Sequence, residues 1–523
     1  MRGLADWRRI VVLSVMVSCA AVFAATLPER PPGEFFPLKS FAHQGAESFE
    51  SGAPVVGTTY FYWYDVDSKA HLIDSDGSDA LTTHPTDMEG ISYKRASWHR
   101  RQMLDMMDAG IDFLMPVFWG VPGEYDGWSF VGLPALVEAH TQLEKEGKEP
   151  PAIGLFYDTS ILQWNGFNDG RSYHVDLTTE FGREWFYTAA RDFFSLIPPA
   201  KWARVDGRPI VFLYAAAFAK AQDEGQLGDF KRRFEKDFGV APYVVKNADW
   251  RGQADATYSW GGAVNGPLLF KDTVALGPGY DHSAVPGRTP LVVDRADGKT
   301  YIDRWLKVLA LNPEHRPWMV HVETWNEWHE GTDVAHSREY GRSYIVLTKL
   351  FSDMWHAKTS LRLAGSYAQA ESVSWAVGKA KGVELRASGG DGVWKEQSLG
   401  DVESIVSVEN PHSGGRYLYF GVDDAFAFGL FDKTMKVTVE YRDAGCERFW
   451  VEYDNVDKTQ GAVEGAFRAG GGVTVGDTGK WKTARFELAR CRFMNRCNGA
   501  DLRIAVAGGE LSLAVREVRV EKR

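Results

Sequence analysis

The fold is decided by residues 300–324, TYIDRWLKVLALNPEHRPWMVHVET. Ile302, Trp305, Leu306 and Leu309 fall at i, i+3, i+4 and i+7, so one face of a helix is apolar. Thr300 and Asp303 stand at its start in capping-box-like spacing, with Asp in place of the usual Glu. The run Trp318 to Thr324 then reads as a strand, and Tyr340 to Phe351 as a closing helix. Helix followed by strand is one period of a βα repeat.

Working upstream, the same period recurs. Val55 to Trp63 is apolar, β-branched and aromatic, as a buried strand should be. A helix over Trp98 to Ala109 follows Ser97 as N-cap and stops at Gly110. Then come Ile111 to Trp119 (strand), Leu133 to Leu143 (helix), Ala152 to Tyr157 (strand) and Glu180 to Phe194 (helix). Pro209 to Tyr214 reads as a strand and Phe230 to Phe238 as a helix. Further strands are expected at Pro242 to Val245, Ala256 to Trp260 and Thr273 to Leu276. Eight strand candidates separated by helices or long loops imply an α/β fold of (β/α)8 TIM-barrel type over residues 25–356.

Downstream the period changes from helical to alternating. Residues 357–400 are mixed and rich in Gly, Ser and Ala, and read as a linker with the first strands of a second domain. In 401–523, Val437, Val439, Tyr441; Leu502, Ile504, Val506; and Leu511, Leu513, Val515 alternate with polar residues. Gly-rich turns separate them, the pattern of an all-β sandwich. Tyr417, Tyr419, Phe449, Trp450 and Tyr453 fit its core or a carbohydrate-binding platform.

The first 24 residues read as an export signal. Arg2, Arg8 and Arg9 make a positive start, Ile10 to Phe23 an apolar run, and Val22-Phe23-Ala24 a small-residue cleavage site. The run is too short for a membrane span and no other is long enough. Lipidation at Cys19 is the weaker alternative, because Met16-Val17-Ser18 fits a lipobox poorly. The expected product is exported, periplasmic or extracellular, and monomeric. Removing three Arg and one Asp takes the net charge from −11 to −13, and no basic run appears, so nucleic acid is not an expected partner. Of the remaining cysteines, Cys446, Cys491 and Cys497, the last two are close enough in sequence to bridge in an oxidising compartment. No Cys-x-x-Cys pair occurs, and no cofactor is implied.

The chemistry is concentrated in His321-Val-Glu-Thr-Trp-Asn-Glu-Trp-His-Glu-Gly-Thr332. Asn326, Glu327, His329 and Glu330 lie just past the last barrel strand, on the face that carries active sites in such barrels. Two carboxylates three residues apart can both enter a cleft, and glycoside hydrolysis needs such a pair. Crowding of the two charges is expected to raise one pKa. The reading requires both side chains to face a cleft, free of ion pairs with Arg or Lys. His321, Glu323, His329 and Glu330 suggest a metal site as a rival, but the spacing matches no His-Glu-x-x-His pattern. Aromatic residues at strand ends, Trp63, Trp119, Tyr214, Trp260 and Tyr280, can stack on sugar rings. Asp65 and Asp158 sit at the same rim to fix hydroxyls, although Asp158 can instead cap the loop after Tyr157.

The segment Val322-Glu-Thr-Trp-Asn-Glu-Trp-His-Glu-Gly-Thr332 resembles the signature of glycoside hydrolase family 99, the endo-α-mannosidases, and of its bacterial relatives. Tyr60-Phe-Tyr-Trp63-Tyr-Asp65, the stretch Met106 to Trp119, and Gly277-Pro-Gly-Tyr280-Asp281 resemble three other segments of that family in type and order, so the resemblance spans about residues 55–354. It implies a retaining hydrolase of α-linked poly- or oligosaccharides. Glu330 would be the general acid, then the base that activates water. Glu327 would act on the sugar's 2-hydroxyl, closing it onto the anomeric carbon as a 1,2-anhydro intermediate. The chain departs from the family at Tyr62, where Pro is usual, and at Asp333-Val334-Ala335, where Gln-Ile-Glu is typical. A glycan-binding protein that keeps a barrel cleft without turnover is the competing class.

Overall fold

A computed structural model of the protein describes residues 26–37, 48–168, 170–387, 391–411, 413–431, 433–457, 459–462, 465–510 and 512–523. The expected export signal, Cys19 and Leu511 lie outside the described residues.

Eight parallel strands surround one core: β1 (Val55–Tyr60), β2 (Phe113–Phe118), β3 (Leu155–Tyr157), β4 (Arg208–Leu213), β5 (Tyr243–Asn247), β6 (Ala256–Tyr258), β7 (Thr273–Leu276) and β8 (Met319–Val322). Neighbours pair in parallel from β1 through β6, β7 pairs with β8, and β8 returns to β1 with Val55 opposite Met319. At the β6/β7 seam no ladder forms among the described residues, and Thr273 Oγ1 donates to the Thr257 carbonyl at 2.7 Å instead. The sheet is therefore nearly closed. β1 and β2 are buried along their whole length, which is why their sequences are continuous apolar runs. They approach so closely at Gly57 that a Cβ there would lie 2.2 Å from the Phe113 ring.

Outside the barrel lie α1 (Ala96–Ala109), α2 (Trp128–Lys145), α3 (Glu180–Leu196), α4 (Gln226–Phe238), α5 (Lys299–Leu309) and α6 (Ser343–His356). On α4, Leu227, Phe230, Phe234 and Phe238 are the buried stripe. The alternation is incomplete, because β5 reaches β6 through residues 248–255 without a helix. Eight residues are too few for the usual crossover. The expected capping box at Thr300 does not form. Gly298 takes the N-cap position at φ 91°, Thr300 Oγ1 donates to the Asp294 carbonyl at 2.6 Å, and Asp303 pairs with Lys299. Ser97 likewise is not the cap of α1, which begins one residue earlier, behind Arg95.

The C-terminal part is two antiparallel sheets over a second core. Ser372–Ala376 pairs with Ala514–Lys522, Val383–Arg386 with Tyr419–Val422 and Val393–Leu399 with Val402–Val408, so these segments are integral to it. Met435, Val437, Val439 and Tyr441 point inward in strict alternation. Phe449 and Tyr453 belong to this core, whereas Tyr417 and Trp450 are half-buried. The bridge between Cys491 and Cys497 is not made: both are buried free thiols, and burial pushes the Cys491 thiol up to about 12.

The sandwich sits firmly on the barrel. Met494 is buried in the barrel's core, the Phe431 ring lies 5.2 Å from His315, and Lys307 pairs with Asp424 at 2.5 Å.

Candidate active site

Beyond β8 the chain folds into a tight segment, residues 323–335, pinned to the barrel mouth. Trp325 N donates to the Thr59 carbonyl at 2.9 Å, and Thr324 N to the Thr332 carbonyl at 3.0 Å. Asn326 uses both ends of its amide on Phe61, accepting from its N at 2.8 Å and donating to its carbonyl at 2.7 Å. That clamp turns residues 61–63 out of β1 and across the mouth, so the expected strand to Trp63 ends at Tyr60. It also corrects the expectation for Asn326: fully buried, with both ends of its amide on Phe61, it positions the loop and does not line the cavity.

The segment presents Glu327, His329 and Glu330 to a cavity of about 380 Å³ at the barrel mouth. Trp63, Asp158, Tyr214 and Trp260 line the same cavity, as expected from the sequence. Asp158 caps a short 3-10 turn, its Oδ1 accepting from Ser160 N (3.1 Å) and Oγ (2.7 Å), and it also borders the cavity.

Glu327 is almost completely buried, and burial pushes its carboxyl up. Desolvation dominates that shift, ahead of the crowding by Glu330 expected from the spacing. Glu327 Oε1 meets His329 Nδ1 at 2.7 Å, and His329 Nε2 faces the His71 carbonyl at 2.9 Å. A carbonyl can only accept, so Nε2 carries a proton. One further proton must then lie between Nδ1 and Oε1. Although burial works against it, the Glu327 charge beside His329 raises the imidazole above its ordinary value, favouring the imidazolium–carboxylate form. Glu327 Oε2 has no protein partner.

Glu330 faces the cavity but fails the condition of freedom from ion pairing. Arg288 Nη1 donates to its Oε1 at 2.6 Å. Arg288 is carried by the arm between Tyr280–Asp281 and Val292–Val293, a segment without sequence periodicity that gave no reason to expect it there. Its side chain is 48% exposed, and such half-exposed pairs are worth about 0–1 kcal/mol, so a bound sugar can displace it. Tyr280 stands beside Glu330, its hydroxyl 2.9 Å from His282 Nδ1 and pushed up by burial and then by the Glu330 charge.

Two expected site residues lie elsewhere. Asp65 is fully buried outside the cavity, its oxygens bound by Ser68 (2.6 Å), Ser92 (2.6 Å) and Lys94 (2.9 Å), because the chain after Trp63 folds back on itself there. Trp119 lines a separate cleft of about 440 Å³ with Trp128 and Trp164, the last 56% exposed. The Trp128 ring lies 6.0 Å from Trp63, so the two clefts are neighbours.

Sequence reasoning missed His71 and Asp74, which line the cavity from a polar loop with no periodic signal. The His71 ring stacks on Trp63 at 4.4 Å, and burial, then His329, depress it to about 3, so it is neutral. Trp63 Nε1, Asp74 Oδ2 and Glu327 Oε2 are buried without protein partners. One donor and two acceptors around a ring-lined cavity suit vicinal hydroxyls. Of the proposed metal set, His321 and Glu323 are fully buried 3.6 Å apart. No group of three or more His, Cys, Asp or Glu among the described residues is arranged to hold a metal ion.

The sequence model of the family DUF5010, described as a domain of unknown function, matches residues 41–373. No curated protein matches the chain. Among solved structures, the GH99 endo-alpha-mannosidase from Bacteroides thetaiotaomicron is 14% identical, covering 58% of this chain and 98% of its own, with a TM-score of 0.40. A glycoside hydrolase-like protein is 15% identical over 57% of this chain and 94% of its own, TM-score 0.40. The C-terminal CBM6 of LamC, a marine laminarinase of Zobellia galactanivorans, is 9% identical over 29% of this chain and 99% of its own, TM-score 0.17. At these TM-scores the likeness fixes neither reaction nor substrate.

Proposed function

The chain belongs to the DUF5010 family, and for it we propose an exported glycoside hydrolase that cleaves α-linked poly- or oligosaccharides with retention. The observation that carries the reading is the pair Glu327 and Glu330 on one wall of a ring-lined cavity, with Glu327 Oε2 buried and unpartnered. A sugar entering the cavity displaces Arg288, and Glu330, freed of the cation, takes a proton from solvent and then donates it to the glycosidic oxygen. Glu327 Oε2 takes the proton of the 2-hydroxyl, whose oxygen closes onto the anomeric carbon as the leaving group departs. Glu330 then draws a proton from water, which opens the 1,2-anhydro ring on its original face, and Glu327 returns its proton to O2. The route needs O2 trans to the leaving group, so α-mannose-type sugars are the preferred class. His329 is a positioning residue: its shared proton holds Glu327 Oε1 and leaves Oε2 for the sugar.

The test compares the wild type with Glu330→Gln and Glu327→Gln on a panel of α-linked glycans, following released anomers by NMR. The wild type should release the α-anomer first, and each variant should lose roughly 10²–10⁴ in rate. Undiminished activity of Glu330→Gln would remove the assigned acid. The Arg288–Glu330 pair is the observation that favours a second reading, a glycan-binding protein without turnover. Binding of a panel glycan with no product released by the wild type would establish that reading.

A further inference from the structure

The catalytic cavity has a neighbour at the junction of the two domains. A groove of about 660 Å³ is walled on the barrel side by Trp260, Asn265 and Phe270, and on the sandwich side by Phe428, Asn495 and Asn498. Trp260 borders both this groove and the cavity that holds Glu327 and Glu330. The two spaces therefore share one wall residue.

The groove's chemistry is mixed. Apolar rings alternate with amides, and the exposed Asn265 amide makes no hydrogen bond among the described residues. Each of its three cations has an acidic neighbour: Lys307 holds Asp424 at 2.5 Å, Arg386 donates to Asn495 Oδ1 at 3.1 Å and lies 3.6 Å from Glu384, and Arg496 lies 3.5 Å from Asp454. No unmatched charge remains in these pairs to select an anion. Rings plus amides with neutralised charge fit an uncharged, hydroxyl-rich chain. The walls are fixed, since Asn495 Nδ2 donates to Asp424 Oδ1 at 2.9 Å and Asn498 Nδ2 to Tyr419 Oη at 3.0 Å.

We propose that this junction groove is a distal subsite for a neutral glycan chain, which runs from the catalytic cavity past Trp260 and between the barrel and the sandwich. The inference rests on the hydrolase reading only for the chain's reacting end. The sandwich thereby builds part of the substrate path, and the enzyme favours polymers over short oligosaccharides.

The test uses the full chain with α-mannan, dextran and pullulan, each beside a trisaccharide of the same linkage. Asn265→Trp fills the barrel wall of the groove, and Asn498→Ala removes an amide from the opposite wall. On the glycan that is cleaved, both variants should lower kcat/KM for the polymer about tenfold more than for the trisaccharide. Equal effects on both lengths, or none, would overturn the groove while leaving the hydrolase standing. If no glycan is cleaved, affinity electrophoresis in gels containing the same polymers decides. Retardation of the wild type that weakens in Asn265→Trp keeps the groove without the hydrolase, whereas no retardation, or retardation unchanged in the variant, rejects it.

Discussion

Glu323 keeps a proton at neutral pH that an exposed glutamate would have lost. Burial pushes its carboxyl from 4.5 up to about 8, against the hydrogen bonds of Gly261 N and Ala263 N that pull it down. The folded protein binds this proton more tightly than the unfolded chain, so the group's contribution is whole below pH 4.5 and fades as pH rises towards 8. Glu323→Gln keeps an acceptor for Gly261 and cannot ionise. It should match the wild type in thermal stability at pH 4 and exceed it at pH 8, on the order of 2–4 kcal/mol. A difference that does not grow with pH would refute the assignment. Arg288 supplies a second prediction at this scale. Its pair with Glu330 contributes at most about 1 kcal/mol, and on the proposed route it breaks before Glu330 acts as the acid. Arg288→Ala should leave thermal stability within about 0.5 kcal/mol and raise kcat/KM up to about fivefold. A large loss of activity would mean that Arg288 contacts the substrate.

At the scale of elements, the segment 323–335 is held by bonds within itself, such as Thr324 N to the Thr332 carbonyl, and by bonds to the barrel mouth at Thr59 and Phe61. Asn326 is the keystone. Asn326→Ala would leave the Phe61 N–H and carbonyl buried without partners, and should cost about 2–4 kcal/mol by chemical denaturation. A loss under about 1 kcal/mol would show that water replaces the amide. This residue also marks how far the sequence could be read. The barrel was legible because buried strands such as β1 are apolar throughout and helices such as α5 show one apolar stripe, signals that live within ten residues. Glu327, His329 and Glu330 were legible by their place after β8. Asn326 and Asp65 were misread because polarity at a strand end looks alike whether it serves a ligand or a loop. The partner decides, and Asn326's partner is 265 residues away. The same distance problem hid Arg288, His71 and Asp74, which reach the cavity from loops with no period. Caps failed for a local reason: at α5 a glycine in left-handed conformation took the place where a side chain was expected.

For the molecule as a whole, the question is whether barrel and sandwich unfold as one. Their interface is built from few large contacts, among them Met494 in the barrel core and the approach of Gly429 to Leu311. Gly429 has φ +59°, and a Cβ there would lie 2.2 Å from Leu311 Cδ2. Leu311 is fully buried, so its methyl has nowhere to retreat without opening the core. Gly429→Ala therefore meets two penalties, a left-handed backbone about 1 kcal/mol less favourable for alanine and a clash at the joint. The total should be about 2–3 kcal/mol, and it should fall on the docking of the domains more than on either core. Calorimetry should then resolve two transitions where the wild type is expected to unfold in one, and proteolysis should cut within residues 357–371. If the interface also walls a glycan path, the same variant should lose its preference for polymer over trisaccharide while each core stays folded. A single transition at the wild-type temperature would show that Gly429 can be filled, and that the two domains are joined by something other than this contact.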